Sequence, residues 1–153
     1  MLYRLLFLCL GLTLITAAGC NNSEDECDTD GQLSLDDYIA QNAPMALTAS
    51  EGVRYEILDA GSSRRPSETA TVEVAYTGYL TDGRQFDSSN GRAVTFPLQN
   101  LVRGWQIGIP LVGEGGSIRL FLPPEVGYGS RSIGIICPNS PLIFDIDLVS
   151  FTE

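Results

Sequence analysis

The stretch NLVRGWQIGIPLVGEGGSIRLFL, residues 100–122, changes its hydrophobic period halfway along. Leu101, Val102, Trp105 and Ile109 recur at helical spacing, and Pro110 and then Gly113 close that run. Ile118, Leu120 and Leu122 then alternate with Arg119 and Phe121, the period of a strand with one buried face. The glycines of GEGGS lead into that strand and lack the Gly-Lys-Ser/Thr ending of a phosphate loop, so they read as a tight turn. Most of the chain from Val53 onward sides with the strand. Val53, Tyr55 and Ile57 alternate with Arg54 and Glu56, and Val72, Val74 and Tyr76 alternate with Glu73 and Ala75. Leu142, Phe144, Ile146 and Leu148 do the same opposite Asp145 and Asp147. Asp82-Gly83 marks a hairpin turn. One short helix among about five antiparallel strands makes an α+β domain, with the helix packed into the curve of the sheet.

Composition narrows the chemistry. The 153 residues carry 9 basic and 19 acidic side chains, a net charge of −10. Every basic residue is an arginine, and seven acids with no base lie between Glu24 and Asp37. A nucleic-acid surface needs a basic patch, so no nucleic-acid partner is expected. The chain has no histidine. That removes Ser–His–Asp and Cys–His catalysis and any His-containing zinc site. A four-cysteine site would need Cys9 and Cys20, which belong to the N-terminal signal, so no metal and no cofactor are expected.

That signal reads MLYRLLFLCLGLTLITAAGC. Arg4, an apolar run from Leu5 to Ile15 and small residues before Cys20 form the three parts of a secretory leader, residues 1–19. The apolar run is short for a transmembrane helix. TAAGC is similar to a bacterial lipobox, with Ala17 where leucine is commoner. It implies lipidation of Cys20 and a membrane anchor through its acyl chains. Asn21 in place of aspartate then points to the outer membrane, facing the periplasm. Residues 20–32 read as the lipidated cysteine and an acidic, disordered tether. Residues 33–46 read as a short helical packing arm, with Ser34 as cap and Asp36 and Asp37 in the first turn. Residues 47–153 are the folded domain, expected to be monomeric because one core accounts for its apolar pattern.

Several aromatic residues stand in a telling order: Tyr76, Phe86 with Asp87, Trp105, Tyr128 and Phe144. Each alone reads as core packing. Together, VAYTGYLTDGRQFDSS, LVRGW and PPEVGYG…GIICPNSPLIFDIDL resemble the FK506-binding-protein family of peptidyl-prolyl cis–trans isomerases, over the whole folded domain. The resemblance implies a twisted antiparallel half-barrel wrapped around a short helix, with an active pocket between helix and sheet. It implies Trp105 as the pocket floor, and Tyr76, Phe86 and Phe144 as aromatic walls. Asp87 would be the wall aspartate and Tyr128 the rim tyrosine. Leu101 and Val102 would line the helix start. Ile135 and Ile136 would cover the proline, with the Ile136 amide as a donor. Val94 falls where the family usually has another aromatic wall, and the connection after Phe96 is short, which implies a more open pocket on that side.

The implied reaction is rotation about X-Pro bonds in unfolded or secreted polypeptides, which needs no nucleophile, metal or proton shuttle. The alternative is a binding module that keeps the fold without turnover. Cys137 takes a place where the family most often has proline. With no base to serve it, Cys137 is not a nucleophile. After processing it is left with Cys27. Two unpaired thiols are the favoured expectation; a Cys27–Cys137 bridge tying the tether to the pocket rim is the alternative.

Overall fold

The computed structural model describes residues 27–153. The leader 1–19, Cys20 and residues 21–26 of the tether lie outside the described residues. Seven strands form one antiparallel sheet: β1 (Leu47–Thr48), β2 (Arg54–Asp59), β3 (Thr71–Tyr79), β4 (Gln85–Ser88), β5 (Val94–Pro97), β6 (Ser117–Leu122) and β7 (Leu142–Thr152). The order is β1-β2-β6-β7-β3-β4, and β5 shares the outer edge of β3 with β4. Helix α1 spans Leu35–Asn42 and α2 spans Arg103–Gly108.

The two longest strands are the axis of the sheet. β7 pairs with β3 from Thr71↔Thr152 to Tyr79↔Ile143 and with β6 from Ser117↔Asp147 to Leu122↔Leu142. Its alternation therefore decides what each face buries. Leu142, Phe144, Ile146 and Leu148 point with Ile118, Leu120 and Leu122 into the main core, which also holds Val72, Val74, Trp105 and Ile109. Ile143 and Phe121 point the other way and would be stranded in water. Ile39, Ala43 and Ala46 of the arm cover them in a second cluster. This explains α1. Ser34 caps it by accepting the Asp37 N–H at 3.2 Å, and its apolar side closes the outer face of the sheet.

Helix α2 is shorter than its hydrophobic spacing suggests. Val102 is its cap, with extended ψ of 147°, and Leu101 precedes it. A 3-10 turn at Ile109–Leu111 carries the chain on through Pro110. Two glycines set its height over the sheet. A Cβ on Gly108 would come within 2.5 Å of both Leu120 methyl groups, and one on Gly104 would strike Leu122. Leu120 and Leu122 are fully buried and cannot swing aside. Gly108→Ala gains helix propensity of about 1 kcal/mol but overpacks the core at a cost of about 1–3 kcal/mol. We expect a lower urea midpoint with an unchanged slope.

Two expectations are corrected here. Ile57, assigned to a buried face, is 40% exposed. β1 covers only Arg54 and Tyr55 of β2, so the far end of β2 is an open edge. The acidic tether is also not free along its whole length. From Cys27 to Gln32 it is held against the domain. Arg84 donates to the Asp28 carboxylate at 3.0 Å and to its carbonyl at 2.8 Å. Ser140 donates to Gln32 at 3.2 Å. Leu33 exchanges two hydrogen bonds with the buried Thr81 hydroxyl.

Candidate active site

Five aromatic rings lie in a continuous edge-to-face series above the sheet. Tyr76 on β3 meets Phe96 on β5 at 6.4 Å between centroids, and meets Trp105 on α2 at 5.1 Å. Trp105 meets Phe144 on β7 at 5.2 Å, and Phe144 meets Phe86 on β4 at 5.4 Å. The interplanar angles of the last two pairs are both 88°, the T-shaped arrangement favoured by the ring quadrupoles. Gly78 makes the series possible: a Cβ there would lie 2.5 Å from the Phe86 ring.

Four of these rings, all but Phe86, line a pocket of about 200 Å³. Trp105 and Phe144, buried at 4% and 3% exposure, form its inner part. Tyr76, Phe96, Leu101 and Val102 wall it, and Asp87 and Tyr128 are its polar members. The structure thus brings seven of the expected residues to one cavity: Tyr76, Asp87, Leu101, Val102, Trp105, Tyr128 and Phe144. Phe86, Ile135 and Ile136 line a neighbouring groove of about 350 Å³, which shares Asp87 and Tyr128 with the first. The two form one indented surface with an apolar inner end and a rim.

Three details differ from expectation. Phe96, not counted among the site residues, is a wall. Its alternation with Val94 in VTFP was the available signal, but it was read as marking only the start of a short connection. Val94 itself is 36% exposed and lies outside the pocket lining. The Ile136 amide is not free to donate to a ligand, because it donates to the Ile133 carbonyl at 2.9 Å. By contrast, the N–H of Val102 makes no backbone hydrogen bond among the described residues. Such a donor is one of the orphans that every helix start leaves.

The polar groups are ordered. The Tyr76 hydroxyl donates to Asp87 Oδ2 at 2.8 Å, and the Ser88 N–H donates to Oδ1 at 2.8 Å. Both side-chain oxygens of Asp87 are thereby held in place at the pocket wall. Burial first, then the hydrogen bond and negative charge of Asp87, push the Tyr76 hydroxyl up to about 12. Burial and the Asp87 charge also raise Tyr128, with Arg131 opposing. Trp105 Nε1 is buried with no partner among the described residues.

The Tyr76 shift predicts a pH dependence. An unfolded tyrosine loses its proton near pH 10, and the folded one near 12. Between those values the unfolded chain binds fewer protons, so stability falls as pH rises. The contribution is whole below pH 10 and lost by about pH 12. Tyr76→Phe should flatten the fall of the urea midpoint across that window.

The cysteines are the last correction. Cys27 and Cys137 form a disulfide with Cα atoms 5.5 Å apart, so they are not the two free thiols favoured from sequence. Sequence spacing could not show this, because the partners are 110 residues apart and meet only after the sheet has closed.

Comparison with known proteins places this arrangement in a family. A profile described as FKBP-type peptidyl-prolyl cis-trans isomerase matches residues 62–149, more than half of the chain. The FKBP-type peptidyl-prolyl cis-trans isomerase FkpA of Aeromonas hydrophila is 35% identical over 133 residues, 84% of this chain and 50% of that protein. The outer membrane protein MIP of Legionella longbeachae is 38% identical over 75% of this chain and 52% of its own length. The crystal structure of FkpA from Escherichia coli superposes with a TM-score of 0.72 at 34% identity, over 78% of this chain and 58% of that one. The chain spans about half the length of the curated relatives it matches. A half-barrel closed on a glycine-seated helix, an aromatic pocket between them and a profile match across the sheet agree: the chain belongs to the FKBP-type peptidyl-prolyl cis-trans isomerase family.

Proposed function

We propose that the protein accelerates cis–trans rotation of X-Pro bonds in unfolded or secreted polypeptides, with the proline ring held in the pocket over Trp105. The observation that carries this reading is the pocket itself. It is an apolar, aromatic-walled cavity with one side-chain acid, Asp87, held by the Tyr76 hydroxyl. The barrier to peptide rotation, about 18–20 kcal/mol, comes from amide resonance. Proline weakens the preference for trans but leaves exchange slow, on the order of tens to hundreds of seconds. Twisting breaks resonance and makes the amide less polar. A desolvated apolar pocket therefore disfavours the planar form more than the twisted one. Each 1.36 kcal/mol or so of that difference gives about tenfold in rate. The free Val102 N–H and the Tyr128 hydroxyl are suited to hold the peptide backbone beside the rotating bond. Ile135 and Ile136 flank the neighbouring residues of the chain.

For location, the leader and TAAGC at Cys20 support a lipid-anchored protein of the outer membrane facing the periplasm. The Cys27–Cys137 bridge is in keeping with an oxidising compartment outside the cytoplasm. Among the described residues no helix is long and apolar enough to cross a membrane. Two apolar clusters, both covered within one chain, suit a monomer. The function is tested by refolding a protein whose slow phase is limited by proline isomerisation. Substoichiometric amounts of this protein should shorten that phase and leave the fast phases alone; an unchanged slow phase contradicts the proposal.

A further inference from the structure

We infer that the Cys27–Cys137 disulfide is a redox-dependent positioning element for the substrate rim. Oxidised, it holds the loop that carries Ile135 and Ile136 in place; reduced, it lets that loop move and weakens binding of the peptide. The inference rests on the isomerase reading of the pocket.

The loop in question runs from residue 129 to 141. It has its own small framework: Ile133 and Ile136 exchange two backbone hydrogen bonds, and Asn139 N–H donates to the Gly129 carbonyl at 2.8 Å. It is also tied to the chain before it, where Gly129 N–H donates to the Pro124 carbonyl at 2.8 Å and Arg131 N–H to the Tyr128 carbonyl at 3.2 Å, and to the main core through Ile136. Two further fastenings run to the N-terminal segment. One is the disulfide at Cys137, and another is the Ser140–Gln32 hydrogen bond. The N-terminal segment is in turn fixed to the hairpin turn after β3, through Arg84 and Thr81. The half of the loop after Ile136 is therefore attached to the sheet through a strap that is itself non-local in sequence. Cys137 adjoins Ile136, and both are buried, at 1% and 3% exposure. A displacement at the sulfur is passed directly to the groove lined by Phe86, Asp87, Tyr128 and the isoleucines. Among the described residues no hydrogen bond joins the strap to a ring of the inner pocket; its partners are Thr81, Arg84 and Ser140.

The chemistry is a thiol–disulfide exchange with a dithiol. A thiolate of the dithiol attacks the half-buried Cys27 sulfur, breaks the S–S bond and releases the Cys137 thiolate, which takes up a proton. The second thiol of the reductant then displaces the Cys27 thiol. Two cysteine thiols form, and the dithiol becomes a cyclic disulfide.

The test compares oxidised protein, dithiothreitol-reduced protein and Cys27→Ser, well below their unfolding midpoints. It uses a proline-containing peptide as substrate and native-state hydrogen exchange as a second readout. Reduction should raise KM about three- to tenfold and leave kcat within about twofold, the pattern of lost uniform binding. The hydrogen-bonded amides of Ile133, Ile136, Asn139 and Ser140 should exchange at least about tenfold faster while those of β3 and β7 do not. Cys27→Ser should match the reduced protein and ignore the dithiol. If thiol titration shows two free cysteines while KM and loop exchange match the oxidised protein, the inference is overturned. Should the oxidised protein lack isomerase activity, the function proposed above fails. Loop exchange then decides the positioning claim alone, with unchanged exchange overturning it.

Discussion

Trp105→Leu should lower isomerase kcat/KM about ten- to a hundredfold. The indole is the inner surface of the pocket, touched on two sides by the Tyr76 and Phe144 rings. An aromatic side chain of this size buries about 150–250 Å², and leucine restores only part of that. At about 25 cal/mol per Å², losing roughly half of the surface offered to the proline removes about 2 kcal/mol or more. That corresponds to the stated range in rate. On the proposed mechanism the floor favours the twisted amide over the planar one, so the loss should appear in kcat as well as in KM. Leucine keeps the site apolar and leaves no unpaired indole N–H, so the fold should survive. Circular dichroism and the urea slope should match the parent.

The second large effect is on stability. The disulfide joins residues 110 apart. Closing a loop of that length restricts the unfolded chain by about 4–5 kcal/mol on the chain-entropy account, and removal of native bridges typically costs about 2–5 kcal/mol. For a domain of this size each kcal/mol moves Tm by about 3–5 °C. Cys27→Ser or reduction should therefore lower Tm by about 10–15 °C. The ion pair between Arg84 and Asp28 will not replace the crosslink, because the carboxylate is largely exposed and such pairs contribute little. A drop of only a degree or two would mean that the strap holds the domain without its bridge.

The strands and the helix were legible because each buries one face against a single partner layer. β7 is the clearest case, with four alternating apolar residues on the main core. What failed to show was anything decided by a second layer. Phe121 and Ile143 break the alternation, and only the packing of α1 explains them. Ile57 keeps the alternation but sits beyond the end of β1, so β6 flanks it on one side only and it stays 40% exposed. Gly104 and Gly108 look like poor helix residues until Leu122 and Leu120 are seen beneath them. In the site, the side chains that line the pocket follow from their order in the motifs. Backbone roles do not. Whether the Ile136 or the Val102 N–H is free depends on how each turn closes, and local sequence carries little of that. The Cys27–Cys137 bridge was one of two open readings, since its geometry depends on the whole fold.

The central claim is that the pocket catalyses X-Pro rotation. Exchange spectroscopy on a short peptide with one X-Pro bond measures this directly, because cis and trans signals exchange visibly only when rotation is fast. With a catalytic amount of the protein the account predicts exchange well above the uncatalysed rate, abolished in the Asp87→Ala/Trp105→Ala double variant. Exchange no faster than in peptide alone, or equally fast with the double variant, would contradict it.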